Sequence, residues 1–212
     1  MRNFYPLSLQ PQIFAEYASA GVGKRAVAGK HIAINPLQLR DFAIDRHGTV
    51  DDRPFGGGVG MVLRVEPIVK AIRSIKEPIK VLCPTPSGKK WTQADAKRFA
   101  DCHISLLFIC GRYRGIDQRV IDNYVDECFS IGDYVISNGD LATLVMIDSI
   151  LRLVAGVLGN PRSHAEDELD QHRRIYTRPR VYDGYAVPDY LYSGNHKLIR
   201  DRDTWKEQDH CG

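Results

Sequence analysis

From Ile79 to Leu158 the chain alternates short apolar runs, glycine-containing loops and amphipathic stretches, and this alternation admits few architectures. IKVLC reads as a short buried strand, TQADAKRFA as a helix with Thr92 as N-cap, and ISLLFIC as the next strand. Asp117 can cap QRVIDNYV, in which Val120, Ile121, Tyr124 and Val125 share a face. ECFSIGDYVI reads as a strand, SNGD as a turn, and Asp140 as the cap of the long helix LATLVMIDSILRLVAGVL. Strands alternating with helices predict an α/β fold around a parallel sheet.

Upstream, a helix is expected from about Pro11, broken by Gly21 and Gly23, and KHIAINPLQLRDF reads as a strand that ends at Pro36. DRHGTVDDRPFGGGVGM lacks periodicity and reads as a long loop, a kind of segment that is usually functional inside a compact domain. Ile68, Val69, Ile72 and Ile75 have helical spacing. GNPRSHAEDELDQHRR reads as a linker, and the tyrosine-rich segment after it is too short for a core of its own.

Composition excludes several classes. The chain of 212 residues is 43% hydrophobic and 26% charged, as in ordinary globular proteins. Leu141–Leu158 is long enough to span a membrane, but Asp148 and Arg152 within it argue for a buried globular helix instead. Five cysteines without a CxxC pair, and no signal peptide, point to reduced thiols in a cytoplasmic protein. No metal-ligand pattern is present. A net charge of +3 says little about nucleic acid, although HRRIYTRPR gathers four arginines around a tyrosine.

Three loops leave the carboxyl ends of strands, where open α/β sheets bind ligands. They are CPTPSG (Cys83–Gly88), CGRYRGID (Cys110–Asp117) and IGDYVISNGD (Ile131–Asp140). Their glycines and prolines allow backbone groups to approach a small molecule closely. No GxGxxG opens a helix, and no P-loop, HExxH or GxSxG is present.

The motifs VDDRPFGGGVGM, CGRYRGID, SIGDYVISNGDL, MIDSILRLVAGVLGN, YTRP and LYSGNH, in this order, resemble the bacterial tRNA (guanine-N1)-methyltransferases of the SPOUT superfamily. The resemblance runs from about residue 11 to about residue 200. It implies a parallel sheet with helices on both faces, tied in a deep trefoil knot, and a short, truncated C-terminal segment. It divides the chain into a knotted S-adenosylmethionine-binding domain (1–158), a linker (159–174) and the remnant of a tRNA-binding domain (175–212). It implies methyl transfer from S-adenosylmethionine to N1 of the guanine immediately 3′ of the anticodon (guanine-37). It also implies tRNA as partner and a homodimer whose active sites lie at the subunit interface.

Carried over to this sequence, the cofactor site comprises Cys83, Pro84, Thr85, Pro86 and Gly88, then Gly111, Arg112, Tyr113 and Gly115. Ile131, Gly132, Tyr134, Ile136 and Gly139 complete it. Asp167 is the implied general base and Arg152 the catalytic arginine; Asp51 and Arg53 are implied to contact tRNA. Magnesium enters as a further cofactor through the resemblance alone.

The chain departs from the family pattern at Arg114, where glutamate is usual, at SNGD in place of SGGE, and at Ala142 in place of a proline. MRNFYPLSLQPQIF is a poor copy of the family's first strand. Residues 161–212 hold nine Lys/Arg against ten Asp/Glu, so the tail as a whole carries a net charge of −1. The alternative reading is therefore a relative that binds cofactor but is weakly active or inactive through an impaired tRNA-binding tail. A non-enzymatic RNA-binding protein is a third.

Overall fold

Along ISLLFIC, Leu106, Phe108 and Cys110 enter one buried cluster while Leu107 and Ile109 enter another, so the strand is covered on both faces. That is the two-residue alternation of a central strand, and the rest of the fold is arranged around it. The computed structural model describes residues 1–158, 175–194 and 199. Two compact units, Met1–Gly159 and Asn160–Gly212, make up the chain.

In the first unit, strand β1 (Arg2–Ser8) leads into helices α1 (Gln12–Ser19) and α2 (Gly21–Ala28). Strands β2 (Ile32–Ile34) and β3 (Leu37–Gln38) precede a 3-10 turn over Leu39–Phe42. A hairpin of β4 (Asp51–Asp52) and β5 (Val62–Leu63) precedes α3 (Val65–Ser74). Then follow β6 (Ile79–Lys90), α4 (Gln93–Asp101), β7 (Ser105–Ile109), α5 (Gln118–Tyr124), β8 (Glu127–Ser130) and α6 (Gly139–Leu153). The sheet is parallel in the order β2-β1-β7-β6-β8, with β3 also paired to β1.

Phe14, Ala26, Phe99, Met146, Ile147 and Ile150 pack α1, α2, α4 and α6 on one face. Leu39, Ile68, Ala71 and Val120 pack the 3-10 turn, α3 and α5 on the other. The expected α/β sheet with helices on both faces is therefore present. Among the described residues, no helix is long and apolar enough to cross a membrane.

Local signals explain most boundaries. Thr92 and Asp95 form a reciprocal capping box at α4, and Asp117 accepts from the Arg119 N–H at α5. Gly21, at φ +51°, separates α1 from α2.

Four expectations are corrected. The N-terminal segment, a poor match by pattern, forms the interior strand β1, because its neighbours β2 and β7 supply both ladders. Asn138, not Asp140, caps α6; its side-chain oxygen accepts from the Asp140 N–H at 3.0 Å. That helix stops at Leu153 rather than Leu158, and Gly156 turns the chain at φ +85°. Strand β8 ends at Ser130, whose hydroxyl donates to the Gly132 carbonyl and accepts its N–H, closing a turn in place of the ladder.

The second unit contains a small hairpin, β9 (Val181–Tyr182) with β10 (Tyr185–Ala186), and a 3-10 turn at Asp189–Tyr192. The Arg180 guanidinium lies 3.7 Å from the Tyr192 ring centroid.

Candidate active site

The strand β6 leaves its ladder at Pro84 and rejoins it at Lys89, both opposite Phe129, so CPTPSG bulges out from the sheet. β7 runs out into GRYRG, and β8 ends in the loop leading to Asn138. These three exits enclose a cavity of about 480 Å³ at the carboxyl ends of the strands. The space is of the size that small-molecule sites occupy.

Two loops clasp each other at its base. The Gly139 N–H donates to the Gly111 carbonyl at 2.7 Å, and Arg112 and Asn138 form an antiparallel bridge. A Cβ at Gly139 would stand 2.7 Å from the Gly111 nitrogen, so only glycine permits this approach. Tyr113 at φ +59° and Gly115 at φ +115° turn the GRYRG loop outward. A non-glycine residue in the left-handed region is uncommon, and such strain is often found at ligand sites.

The glycine-rich segment docks beside this loop through β5. Leu63 N–H donates to the Gly115 carbonyl at 3.0 Å, Arg114 N–H to Met61, and Asp117 N–H to Leu63. The expected long loop is present, pinned by the two-residue pairing of β4 with β5, and Gly56, Gly57, Gly58 and Gly60 have positive φ in its tip. Asp51 pairs with Leu63 in the hairpin, and Arg53 is exposed at the start of the tip.

Arg114 lies across that tip. A side chain at Gly58 would collide with its guanidinium, and one at Gly60 would stand 3.1 Å from its Cγ. The arginine that replaces the usual glutamate therefore extends along the glycine hairpin. Among the described residues, Arg112 and Arg114 are the charged ones that line the cavity.

Beneath the clasp, Ser8 donates to Asp140 at 2.6 Å, and both residues are buried. Cys110 lies 3.3 Å from the Thr143 hydroxyl; burial, then the nearby Asp140 carboxylate, pushes its thiol up. Cys83 and Cys128 are also in the wall, as register partners on β6 and β8.

Of the anticipated cofactor residues, all but Gly88 line the cavity. Gly88 instead lies against the backbone of Cys128 and Phe129, where a side chain would collide with β8. The lining also includes Ser87, Ile116 and Asn138 from the same three loops, Ala142 of α6, and three residues outside the loops that pattern reading passed over: Gln118, Ile121 and Cys128. Their position follows from α5 and β8 packing beside the loops, a long-range consequence without a local signal.

Arg152 is not among the lining residues. It is exposed in the last turn of α6, ten residues beyond Ala142 and so about 15 Å further along the helix axis. Asp148, one turn before it, accepts from the Tyr17 hydroxyl at 2.7 Å. Asp167 lies outside the described residues.

A parallel α/β sheet with a loop-built cavity at its carboxyl edge places the protein in the class of open α/β folds that hold a small molecule beyond their strand ends. The chain belongs to the family described as tRNA (Guanine-1)-methyltransferase TrmD, whose model matches residues 2–211. The match begins earlier than the motifs alone suggested.

It is 45% identical over 199 residues to the tRNA (guanine-N(1)-)-methyltransferase of Methylacidiphilum infernorum, covering 91% of this chain and 85% of the relative. It is 44% identical over 201 residues to the tRNA (guanine-N(1)-)-methyltransferase of Escherichia coli, covering 92% and 78%. The fold matches the crystal structure of tRNA (m1G37) methyltransferase from Aquifex aeolicus with a TM-score of 0.79 at 37% identity, over 93% of this chain and 85% of that one.

Proposed function

We propose that this protein transfers a methyl group from S-adenosylmethionine to N1 of the guanine immediately 3′ of the anticodon in tRNA. The observation that carries the proposal is the three-loop cavity in a chain that belongs to this methyltransferase family.

The cavity fits the cofactor. Its volume of about 480 Å³ accommodates a folded nucleoside with an amino-acid arm, and Gly111, Gly115, Gly132 and Gly139 line it without side chains. Pro84, Thr85 and Pro86 of the first loop, Tyr113 and Gly115 of the second, and Ile131, Tyr134 and Ile136 of the third are the residues assigned to hold it. Bound there, S-adenosylmethionine supplies a sulfonium methyl whose leaving group needs no proton.

The remaining chemistry is the protein's. Guanine N1 bears a proton and is a poor nucleophile until it is removed. Asp167 is assigned as the base that takes it, an effect worth roughly 10²–10⁴-fold. As N1 loses the proton, charge grows on O6, and Arg152 is assigned to stabilise it. The target base is turned out of its stack to reach the site.

The distance along α6 between Arg152 and the cavity supports a homodimer in which one chain's Arg152 serves its partner's cavity. Residues 1–158 form the methyltransferase part and 159–174 the linker that carries Asp167. Residues 175–212, with exposed Tyr182 and Tyr185 beside Arg180, serve tRNA contact, since arginines and exposed rings suit stacking on RNA. Asp51 and Arg53, on the glycine hairpin, are also assigned to tRNA contact. A cytoplasmic location follows from a tRNA substrate.

Magnesium does not fit as well. Among the described residues no three His, Cys, Asp or Glu side chains gather to hold a metal, and the charges lining the cavity are both positive. No step is routed through it.

The deciding experiment measures methyl transfer from labelled S-adenosylmethionine to an unmodified tRNA transcript with guanine 3′ of the anticodon, against the same transcript with adenine there. Label in the guanine transcript alone is expected. Absence of label from both, with cofactor bound, would overturn the activity. Asp167→Ala is expected to lose at least about tenfold in turnover while still binding cofactor; near-normal turnover would remove Asp167 from the mechanism.

A further inference from the structure

Cys83 and Cys128 face each other directly across β6 and β8 as register partners, and both line the cavity. Methyl transfer from a sulfonium requires no thiol, so the proposed mechanism uses neither. In-register residues on adjacent strands stand roughly 4.8 Å apart. That lies within the 4.4–6.8 Å between Cα atoms that a disulfide bridges. Closing a bond between these sulfurs therefore requires side-chain rotation and leaves the strand pairing in place.

The two sulfurs are chemically unequal. Cys83 is 1% exposed, and its thiol can donate to the Pro84 carbonyl, a long contact at 3.8 Å, or to the Cys128 sulfur. The hydrogen bond from Cys83 brings Cys128 down to about 7. The same bond, then burial, pushes Cys83 well up. Cys128, half-buried and with its thiol lowered, is thus the sulfur that an oxidant meets first, and the buried Cys83 stands beside it. Cys110, also in the core, is shut in with Thr143 and kept protonated.

We propose that Cys128 and Cys83 form a peroxide-sensitive dithiol in the cavity wall, which closes to a disulfide and blocks the cofactor site. In the first step the Cys128 sulfur attacks one oxygen of hydrogen peroxide. The O–O bond breaks, water leaves, and Cys128 becomes a sulfenic acid. In the second, the Cys83 sulfur displaces the hydroxyl, which departs as a second water with the Cys83 proton. Two thiols are oxidised, one peroxide is reduced, and an S–S bond joins β6 to β8. The bond forms where β6 leaves its ladder for Pro84–Gly88, so it alters the footing of a loop assigned to hold the cofactor.

The test treats the full chain with hydrogen peroxide, maps peptides by mass spectrometry and reads S-adenosylmethionine binding by calorimetry. A linked Cys83–Cys128 peptide is expected, with loss of binding in step with it. Dithiothreitol should reverse both, and bound S-adenosylmethionine should slow the link. Cys128→Ser should make binding, whatever its starting level, indifferent to peroxide. Cys83→Ser should leave Cys128 to proceed to sulfinic acid. Absence of the linked peptide, or its formation with cofactor affinity unchanged, overturns the proposal. The consequence for the cofactor rests on the proposed function, but the linked peptide is read without cofactor. Untreated protein that binds no S-adenosylmethionine would therefore sink the functional reading, while the peptide map still decides the dithiol.

Discussion

Gly139 and Gly111 meet backbone to backbone, with the Gly139 N–H donating to the Gly111 carbonyl at 2.7 Å. The contact joins the start of α6 to the loop after β7 and forms the base of the cavity. Gly139 cannot be larger without parting the loops, whereas a side chain at Gly111 would meet only Ile116, at 3.7 Å.

Gly139→Ala places a methyl group against the Gly111 nitrogen and the Cys110 backbone. Backbone cannot yield as a flexible side chain does, so a loss of about 1–3 kcal/mol in stability is expected. Cofactor affinity should fall with it. Thermal melts with and without S-adenosylmethionine measure both, and an unchanged cofactor-induced shift would remove the clasp from the binding site.

Ser8→Ala leaves the buried Asp140 without its 2.6 Å hydroxyl donor. Asp140 stands in the first turn of α6, where the helix dipole favours a negative charge but does not replace a lost hydrogen bond. A cost of about 1.5–3 kcal/mol is expected from denaturant unfolding. Ser8→Thr, which keeps the hydroxyl, should recover part of it.

Arg152→Ala should lower turnover far more than it lowers the melting temperature, because Arg152 is exposed. Asp148→Asn keeps an acceptor for the Tyr17 hydroxyl and should change activity little. Equal losses of activity in the two variants would assign Arg152 a structural role on α6 instead of one in transfer. Methyl-transfer assays and melts on the same preparations separate the cases.

Glu127 accepts from Arg98 at 2.7 and 2.8 Å and pairs with Lys80 at 2.9 Å. Its hydrogen bonds to Arg98, in the first place, bring its carboxyl down to about 2. Its folded value therefore lies below the unfolded one. The stabilisation is complete above the unfolded value near 4.3 and is lost as pH falls toward about 2. Glu127→Gln should cost about 2 kcal/mol at neutral pH, after allowance for its partly open side, and flatten acid unfolding over that window. Melting temperature followed from neutral pH down to the acid limit checks the slope.

Much of the fold is legible in the chain because it is locally encoded. The strand ISLLFIC, the Thr92 cap and the Asp117 cap are set within a few residues, and all three appear in the structure as read; Asp95 completes the Thr92 cap as a box. The loops at the cavity are legible for a related reason: glycine and proline announce backbone conformations that few other residues adopt. Tertiary structure decided what depends on distant partners. MRNFYPLS has a weak pattern, yet it is an interior strand because β2 and β7 flank it. Arg114 lies over Gly58 and Gly60 because β5 pairs with the GRYRG loop. Cys83 and Cys128, 45 residues apart in sequence, become neighbours only through the parallel pairing of β6 with β8. Periodicity and caps report a residue's nearest neighbours along the chain, whereas strand order and loop crossing are settled by which surfaces bury one another when the whole chain closes.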